Sequence, residues 1–263
     1  MISVIGLGNA ASAIAQKFEE VPQYNVYCLN DKVQRNSKYK FKLKSFESPE
    51  AYEENIPNLA KFFKDIDERI HFIVMGSSYS SNYALGILEQ LKDKDVELFF
   101  IQPDTEMLTG IPKLVDRVVF NILQQYARSG LLSNFTILSN AKIEESLGDV
   151  PIKKYYDTIN HTIFSAIHYL NYFAHNEPEI GMVSKPLEIN RIRTVGMLNM
   201  NNLVEKWLFD LDMERDICYY MCINEQKMEK EGGLHRNIVE KLKKKPKNAF
   251  RKISYAIYET PHD

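Results

Sequence analysis

Short apolar runs alternate with stretches of helical spacing over the first two thirds of the chain. The apolar runs predict buried strands at residues 2–5, 24–31, 71–75, 96–103 and 134–140. Apolar residues recurring every three or four positions predict helices from about residue 9, then over 48–66, 83–91, 111–130 and 151–176. Strands that alternate with helices in this way favour a parallel sheet covered on both faces.

The last third of the chain has a different order of elements. A strand, a helix and a strand are predicted in turn at 216–223, 232–245 and 253–260. This order predicts a smaller α+β domain behind the long helix. We therefore predict a first domain over 1–176, which includes that helix, and a second domain over 177–263.

Two helical patterns also predict which residues share a face. In the helix at 111–130, which Gly130 should end, one apolar face is formed by Ile111, Leu114, Val118, Ile122 and Leu123. On the same helix, Asp116 and Arg117 resemble a surface charge pair. Farther along, a helix with a tryptophan in the core is predicted by the spacing of Val204, Trp207 and Leu208.

Composition places the chain among globular proteins, with 44% hydrophobic and 26% charged residues. No apolar run approaches the roughly 18 residues that span a bilayer, so we expect a cytoplasmic protein without a membrane partner. The net charge of −2 makes nucleic acid an improbable partner. Residues 241–252 hold seven basic residues, which we interpret as a solvated helix end and loop rather than a nucleic-acid patch.

Cysteine and histidine spacings argue against a metal site. Cys218 and Cys222 would point to one face of a strand, where core packing is more common than metal binding. A long helix carries three histidines at seven-residue intervals, His161, His168 and His175. This interval separates them by about 10 Å along the axis, too far to share one ion.

The first chemical motif is the turn after the first strand. It matches G-x-G-x-x-A through the residues Gly6, Gly8, Asn9, Ala10 and Ala11. Glycines there let the backbone approach a phosphate, and the N-terminus of the next helix supplies N–H donors. Asp31 follows Gly8 by about 23 residues, near the place of a ribose-binding acid, which keeps an NAD-dependent Rossmann-type enzyme as an alternative.

A second loop of small and polar residues follows the strand at 71–75. Its residues are Gly76, Ser77, Ser78, Tyr79, Ser80, Ser81 and Asn82. Two phosphate-type loops in this order, followed by a proline after the next strand in "FFIQPDTE", resemble the tubulin/FtsZ superfamily over nearly the whole chain. The resemblance implies a parallel-sheet nucleotide domain, a long central helix and a small α+β C-terminal domain.

The resemblance also implies a base pocket. In that superfamily an asparagine after a strand contacts guanine, and the long helix supplies a stacking ring and, four residues on, a polar group. The matching residues here are Asn140, Tyr156 and Asn160, and the last two share one helix face. Without the resemblance, the pattern is equally typical of a turn residue at Asn140, a surface aromatic ring at Tyr156 and a solvated amide at Asn160.

Two departures from the superfamily pattern affect the chemistry. Serines replace most glycines of the second loop, so phosphate binding should be weakened or reshaped. In the region of the superfamily's acidic catalytic loop, matching "RIRTVGM" to the downstream helix puts Glu188 at one acidic position and Arg191 at the other. An alternative register through Asn190 puts Ile192 and Val195 there instead, and neither register restores both acids. Glu188 is thus the one remnant of the catalytic acid, and we expect hydrolysis to be slow or absent.

The resemblance implies a guanine-nucleotide-binding assembly or filament protein with degenerate GTP hydrolysis. Its cofactor would be GTP or GDP, with Mg²⁺ as an accompanying ion. Its partner would be itself, in a head-to-tail oligomer or filament, or another assembly subunit. The alternatives are a pseudo-tubulin interaction subunit without nucleotide and the Rossmann-type NAD-dependent enzyme.

Overall fold

The computed structural model describes residues 1–184, 191–213, 216–245 and 251–260. Its strands are Ile2–Leu7 (β1), Tyr24–Asn30 (β2), Lys40–Lys42 (β3), Arg69–Met75 (β4), Asp95–Gln102 (β5), Asn134–Ser139 (β6), Ile180–Met182 (β7), Ile192–Arg193 (β8), Gly196–Leu198 (β9), Glu205–Trp207 (β10), Asp216–Asn224 (β11) and Lys252–Thr260 (β12). Its α-helices are Asn9–Gln16 (α1), Pro49–Glu54 (α2), Ala84–Glu89 (α3), Gly110–Ser129 (α4), Asn140–Leu147 (α5), Tyr155–His175 (α6), Glu225–Lys230 (α7) and Leu234–Lys243 (α8).

Seven strands form one parallel sheet in the order β3-β2-β1-β4-β5-β6-β8. β1 is buried along its whole length, and so are the central residues of β4 and β5. Strands covered on both faces need such continuous apolar runs, because side chains on either face pack in the interior. The predicted fold class is confirmed.

A polar cluster joins four neighbouring strands of this sheet. Glu97 on β5 lies 3.8 Å from the His71 Nε2 atom on β4 and pairs with the Arg193 guanidinium on β8. Arg193 Nε also donates a hydrogen bond of 3.0 Å to Thr136 Oγ1 on β6. Burial lowers the pKa of His71 to about 4, so the imidazole is neutral at pH 7. Glu97 therefore serves mainly as the charge partner of Arg193.

Of the apolar face predicted for α4, Leu123 is buried and Ile122 is half-buried, but the rest of that face is exposed. The exposed fractions are 47%, 59% and 41% for Ile111, Leu114 and Val118. The buried apolar residues are Val115, Val119, Leu123 and Ala127. Apolar residues occur on both sides of this helix, so spacing alone could not tell which side faces the sheet. Gly130 ends α4 in the left-handed conformation, with φ of +86°, as predicted.

The helix predicted over 48–66 is confined to α2. It begins as expected, with Ser48 Oγ accepting a hydrogen bond of 3.4 Å from Ala51 N and Pro49 at its first position. It ends at Glu54, shortly before Pro57. A proline disfavours helical geometry in the residue before it and lacks the N–H that a helix needs, so the turn cannot continue.

A second, three-stranded sheet has β12 in its centre, parallel to β11 and antiparallel to β7. The predicted order of strand, helix and strand is found, with α7 as an additional helix. β11 buries its alternate residues Ile217, Tyr219 and Met221. The core position predicted for the cysteines is wrong, because Cys218 is half-buried and Cys222 is exposed on the other face.

The helix predicted around Trp207 is also wrong. Residues Glu205–Trp207 form β10, which pairs with β9. Trp207 is half-buried, whereas the adjacent Leu208 is 2% exposed. A segment with so few apolar residues is compatible with a short strand as well as with a helix. Pairing with β9 stabilises the strand.

Two compact units divide the described residues. The first comprises 1–166, 191–197 and 206–210, and the second comprises 167–184, 198–205, 211–213, 216–245 and 251–260. The predicted boundary after residue 176 stays a prediction. Within the described ranges, no helix has both the length and the apolar character needed to cross a membrane.

Part of the basic stretch at 241–252 has a structural role in the second unit. Lys245 is 8% exposed and lies 2.8 Å from Glu205 Oε1, and Arg251 lies 3.5 Å from the other oxygen of that carboxylate. Lys241 Nζ donates a hydrogen bond of 2.7 Å to the Met200 carbonyl. Residues 246–250 lie outside the described residues. The interpretation as a wholly solvated segment is therefore wrong for these three side chains.

Candidate functional site

The first glycine loop connects β1 to α1 at the carboxyl edge of the parallel sheet. Gly8 precedes α1 with φ of +89°, a conformation that favours glycine. A Cβ atom at Gly6 would lie 2.6 Å from the Ala11 carbonyl oxygen, so only glycine fits there. Gly8 has no side chain with which to cap α1, which leaves the N–H groups of the first turn for an anion.

The second loop, Gly76–Asn82, follows β4 and has a conformation of its own. Residues Tyr79–Tyr83 form a 3-10 turn. No residue of the loop has a positive φ, so the replacement of glycines by serines causes no backbone strain. Ser81 Oγ donates to the Ser78 carbonyl at 2.6 Å, and Asn82 Nδ2 donates to the Tyr79 carbonyl at 2.9 Å. The side chains thus stabilise the turn from within.

The two loops contact each other. A Cβ atom at Gly8 would overlap with Ser80 Oγ and would lie 3.2 Å from Ser78 Oγ. These two hydroxyls are hydrogen-bonded to each other at 2.7 Å. β1 and β4 are adjacent in the sheet, which explains the contact, because loops after neighbouring parallel strands leave the sheet at the same edge. Glycine backbone and serine hydroxyls therefore form one continuous polar surface.

Asn140 lies at the same edge, directly after β6. Ser139 Oγ accepts a hydrogen bond of 3.5 Å from Lys142 N and so begins α5. The neighbouring Asn140 Oδ1 atom is buried and has no hydrogen-bond partner among the described residues. Buried amide oxygens are normally paired, so this atom is a candidate for contact with a ligand donor.

The N-terminal part of α6 carries the other two predicted base-contacting residues. Tyr156 is 79% exposed, and Asn160 is half-buried. The residues on either side of Tyr156 hold the helix in place. Tyr155 Oη donates to Glu144 of α5 at 2.8 Å, and Asp157 pairs with Lys17 at 2.6 Å. The edge of one ring in the pair Tyr155 and Tyr156 meets the face of the other, with ring centres 5.3 Å apart. A common pocket of Tyr156 with Asn140 stays a prediction.

Asp116 is a residue of this region that the sequence interpretation placed wrongly. Its side chain is buried, with 5% of the residue exposed, and its Oδ1 has no hydrogen-bond partner among the described residues. A Cβ atom at Gly76 would overlap with this oxygen. Burial raises the pKa of Asp116 to about 6. Asp116 shares a helix face with Val119 and Leu123, but the sequence held no signal that this face, rather than the opposite apolar one, is buried.

Asp31, the candidate ribose-binding acid of the NAD alternative, is bound to other side chains. Asn9 Nδ2 donates to its Oδ1 at 2.8 Å, and Ser45 Oγ donates to its Oδ2 at 3.1 Å. Burial acts to raise the pKa of Asp31, but these two hydrogen bonds, a backbone hydrogen bond and the nearby charge of Lys32 together lower the pKa. The carboxylate therefore stays ionised and already has a donor on each oxygen.

The region expected to carry the catalytic acid is only partly described. Glu188 lies outside the described residues. A helix was expected at "RIRTVGM", residues 191–197. These residues instead contain β8 and the start of β9. Across the described ranges, no three His, Cys, Asp or Glu side chains are placed to hold a metal ion together.

The sheet, the two edge loops and the long helix that leads into a small α+β unit define the tubulin/FtsZ fold. Among solved structures, the FtsZ dimer from M. jannaschii matches with a TM-score of 0.69 and 13% identity, over 98% of this chain and 83% of that chain. CetZ from Methanosaeta thermophila strain DSM 6194 matches with a TM-score of 0.66 and 11% identity, over 99% of this chain and 83% of that chain.

A third match is the GTPγS-form protofilament of Bacillus thuringiensis serovar israelensis TubZ, with a TM-score of 0.66 and 11% identity over 98% of this chain and 84% of that chain. At these identities the likeness shows the fold. No protein-family model matches the chain, and no curated protein matches it.

Proposed function

We propose that the protein binds a guanine nucleotide and assembles head to tail with further copies of itself. The contact of Gly8 with Ser78 and Ser80 carries this proposal, since it joins two polar loops into one surface at the sheet edge. The N–H groups at the start of α1 and the serine hydroxyls supply donors for phosphate oxygens. GTP or GDP would bind there, with Mg²⁺ carried by the phosphates.

The proposed base contacts are those of Asn140, Tyr156 and Asn160. The buried Asn140 Oδ1, which has no hydrogen-bond partner among the described residues, supports this assignment. Guanine presents N–H donors on its edge, and an amide oxygen accepts hydrogen bonds from such donors. The exposed Tyr156 ring offers a stacking face. Asn160, one helical turn further along α6, supplies a second amide for the base edge.

We propose that hydrolysis is slow or absent. Attack of water on a terminal phosphate needs a group that orients or activates that water. Arg191, a cation, occupies the second expected acidic position, and short strands replace the helix expected after it. Glu188 remains the one candidate acid, as a weak remnant.

A second candidate function is a pseudo-tubulin subunit that binds no nucleotide. The hydrogen bonds within Gly76–Asn82 favour it, because Ser81 and Asn82 donate to carbonyls of their own loop. Such a protein would act through assembly with itself or another subunit, and we place either form in the cytoplasm.

Thermal unfolding with GTP, GDP, ATP, NAD or no ligand tests nucleotide binding. A ligand at about 100 times its Kd stabilises the folded state by about 2.7 kcal/mol, so a guanine nucleotide should raise the Tm by several degrees. A shift with NAD alone would favour the Rossmann-type enzyme. No shift with any ligand would favour the pseudo-tubulin.

Asn140→Ala tests the base contact separately. Because Asn140 Oδ1 has no partner among the described residues, the ligand-free Tm should change little, whereas the GTP-induced shift should fall. Asn201→Ala, at an exposed position, is the matched control and should keep the full GTP-induced shift in Tm.

Sedimentation with GTP over a range of protein concentrations tests assembly. The absence of both a pellet and an oligomer would contradict the proposed assembly.

A further inference from the structure

β11 forms one edge of the second sheet. It pairs with β12 along all nine of its residues, and in the described part of the chain no strand pairs with its outer side. The main-chain N–H and C=O groups of an edge strand can pair with a strand of another chain, and proteins usually prevent this with a charged residue or a proline. Residues 217–223 contain neither. β11 is therefore an edge that is open to pairing with another strand.

The sequence of β11 reads almost the same in both directions. Residues 217–223 are ICYYMCI, with Tyr220 in the middle. Two copies of this strand that pair antiparallel about Tyr220 place each residue opposite one of similar character. The pairs are Ile217 with Ile223, Cys218 with Cys222, and Tyr219 with Met221. The occupant that fits this edge is thus β11 of a second copy of the chain.

The buried face of β11 selects this register. The buried residues of the strand are 5% to 9% exposed and have odd numbers, namely Ile217, Tyr219 and Met221. Residues directly opposite each other in an antiparallel pair point to the same face, so pairing about Tyr220 joins the buried faces of the two copies. A shift by one residue would join a buried face to the face that carries the exposed Cys222. At both ends Asp216 lies opposite Asn224, so no two like charges meet.

Such pairing supplies as many hydrogen bonds as an ordinary protein interface has. In an antiparallel pair of nine-residue strands, alternate residues exchange two main-chain bonds with the residue opposite, which gives about eight to ten bonds in total. A typical interface has about 10 direct hydrogen bonds. The pairing also joins the two three-stranded sheets into one, and a sheet with more strands is more stable. β11 is thus long enough to form an interface.

We propose that two copies of the chain form a symmetric dimer by antiparallel pairing of their β11 strands about Tyr220. The contact uses the same surface on both copies and closes the assembly at two, whereas a head-to-tail contact continues along a filament. The inference goes beyond the proposed function, because this dimer needs neither a nucleotide nor the loops of the first unit.

Cys218 and Cys222 report on the register of the pairing. Opposite Cα atoms in antiparallel strands lie about 4.5 or about 5.5 Å apart, and a disulfide can span both distances. Cys218 can therefore be linked to Cys222 of the second copy, in exchange for the hydrogen bond of 3.3 Å that its Sγ accepts from Ser254. Two copies of Cys222 would be four residues apart along the strands, about 14 Å, which is too far for a disulfide. Cys28 is buried and stays out of the reaction.

The test is oxidation of the full chain with diamide, without nucleotide, followed by non-reducing electrophoresis. Each disulfide that forms transfers two electrons and two protons to diamide, and the wild type should give a covalent dimer. Cys218→Ser and Cys222→Ser alone should each reduce the covalent dimer about 10-fold or more, because each lacks one member of every opposed pair. An equilibrated equal mixture of the two variants should restore the covalent dimer, since a mixed dimer contains one complete pair.

Sedimentation equilibrium without nucleotide gives a second measurement. Cys222→Lys places a charge on the edge strand and should raise the Kd of the dimer about 10-fold or more. The matched control is Met182→Lys on β7, at the opposite edge of the same sheet, where Met182 is 81% exposed. This control should leave the Kd unchanged.

Three results would overturn the inference. A wild type that stays monomeric at all protein concentrations would mean that β11 does not pair between copies. A covalent dimer of Cys218→Ser alone would mean that Cys222 residues meet outside the proposed register. Equal effects of Cys222→Lys and Met182→Lys would mean a general charge effect. None of these results bears on nucleotide binding, which the thermal shift with GTP or GDP decides separately.

Discussion

Replacement of Asp116 by asparagine is expected to stabilise the protein at neutral pH and to leave its stability nearly unchanged in acid. Asp116 lies on the buried face of α4 against Gly76, and its Oδ1 has no hydrogen-bond partner among the described residues. Burial raises the pKa of its carboxyl to about 6, from an ordinary value of 3.8. The ionised form is thus disfavoured in the folded state, and asparagine has the same shape without the charge.

The magnitude follows from the two pKa values. They differ by about 2 pH units, and each unit corresponds to about 1.4 kcal/mol, which sets an upper value of about 3 kcal/mol. Between about pH 4 and pH 6 the folded state binds more protons at Asp116 than the unfolded state does. The free energy of unfolding therefore falls as the pH rises through this window, and the cost is complete at pH 7.

Urea denaturation followed by circular dichroism, at pH 4 and pH 7.5, measures this effect. We expect Asp116→Asn to exceed the wild type by about 1 to 3 kcal/mol at pH 7.5 and by less than about 0.5 kcal/mol at pH 4. The matched control is Asp149→Asn, at an exposed position, which should show no such difference.

A less stable Asp116→Asn at pH 7.5 would refute the reasoning, because it would mean that the carboxylate has a stabilising partner. A stability gain of the same size at both pH values would also refute it, since the gain would then come from packing and not from the charge.

Three further predictions concern stability, each measured by chemical denaturation. Gly8→Ala should lower the free energy of unfolding by about 1 to 3 kcal/mol, because φ is +89° and a Cβ would overlap the second loop. Gly148→Ala, with φ of +70° and open space around it, should cost less, and equal losses would contradict the loop contact. Glu97→Gln should cost about 2 kcal/mol, since Arg193 loses its charge partner, and an unchanged midpoint would show the pair to be dispensable. Burial acts to raise the pKa of Glu205, but hydrogen bonds from Lys245 and Tyr219 and the charges of Lys245 and Arg251 together lower the pKa. The advantage of the wild type over Glu205→Gln should therefore disappear as the pH falls below 4.5, and an advantage that persists in acid would contradict this assignment.

Local signals predicted much of the fold. The buried strands β1, β4, β5 and β6 were visible as apolar runs, and Gly130 marked the end of α4. These signals depend on backbone geometry and side-chain period, which neighbouring residues set. The first glycine loop was visible for the same reason, because its turn requires glycine whatever lies around it.

Errors occurred where the partner of a segment decided the outcome. α4 has apolar residues on both sides, and only its packing selected the side that buries Asp116. Cys222 is exposed because β11 turns its other face to the interior. Trp207 lies in a strand because β9 was available as a partner. The location of Asp116 under Gly76 could not be predicted, since the two residues are distant in the chain.

The sequence by itself determined the alternation of strands and helices, the glycine at Gly8 and the asparagine that follows β6. These are properties of short segments, and they identified the fold class. Only the tertiary structure decided that the first and second loops touch and that Asn140 Oδ1 has no hydrogen-bond partner among the described residues. It also decided that Arg35, Lys42 and Lys44 line one groove. The physical reason is that contact, burial and local charge depend on which distant segments the sheet brings together.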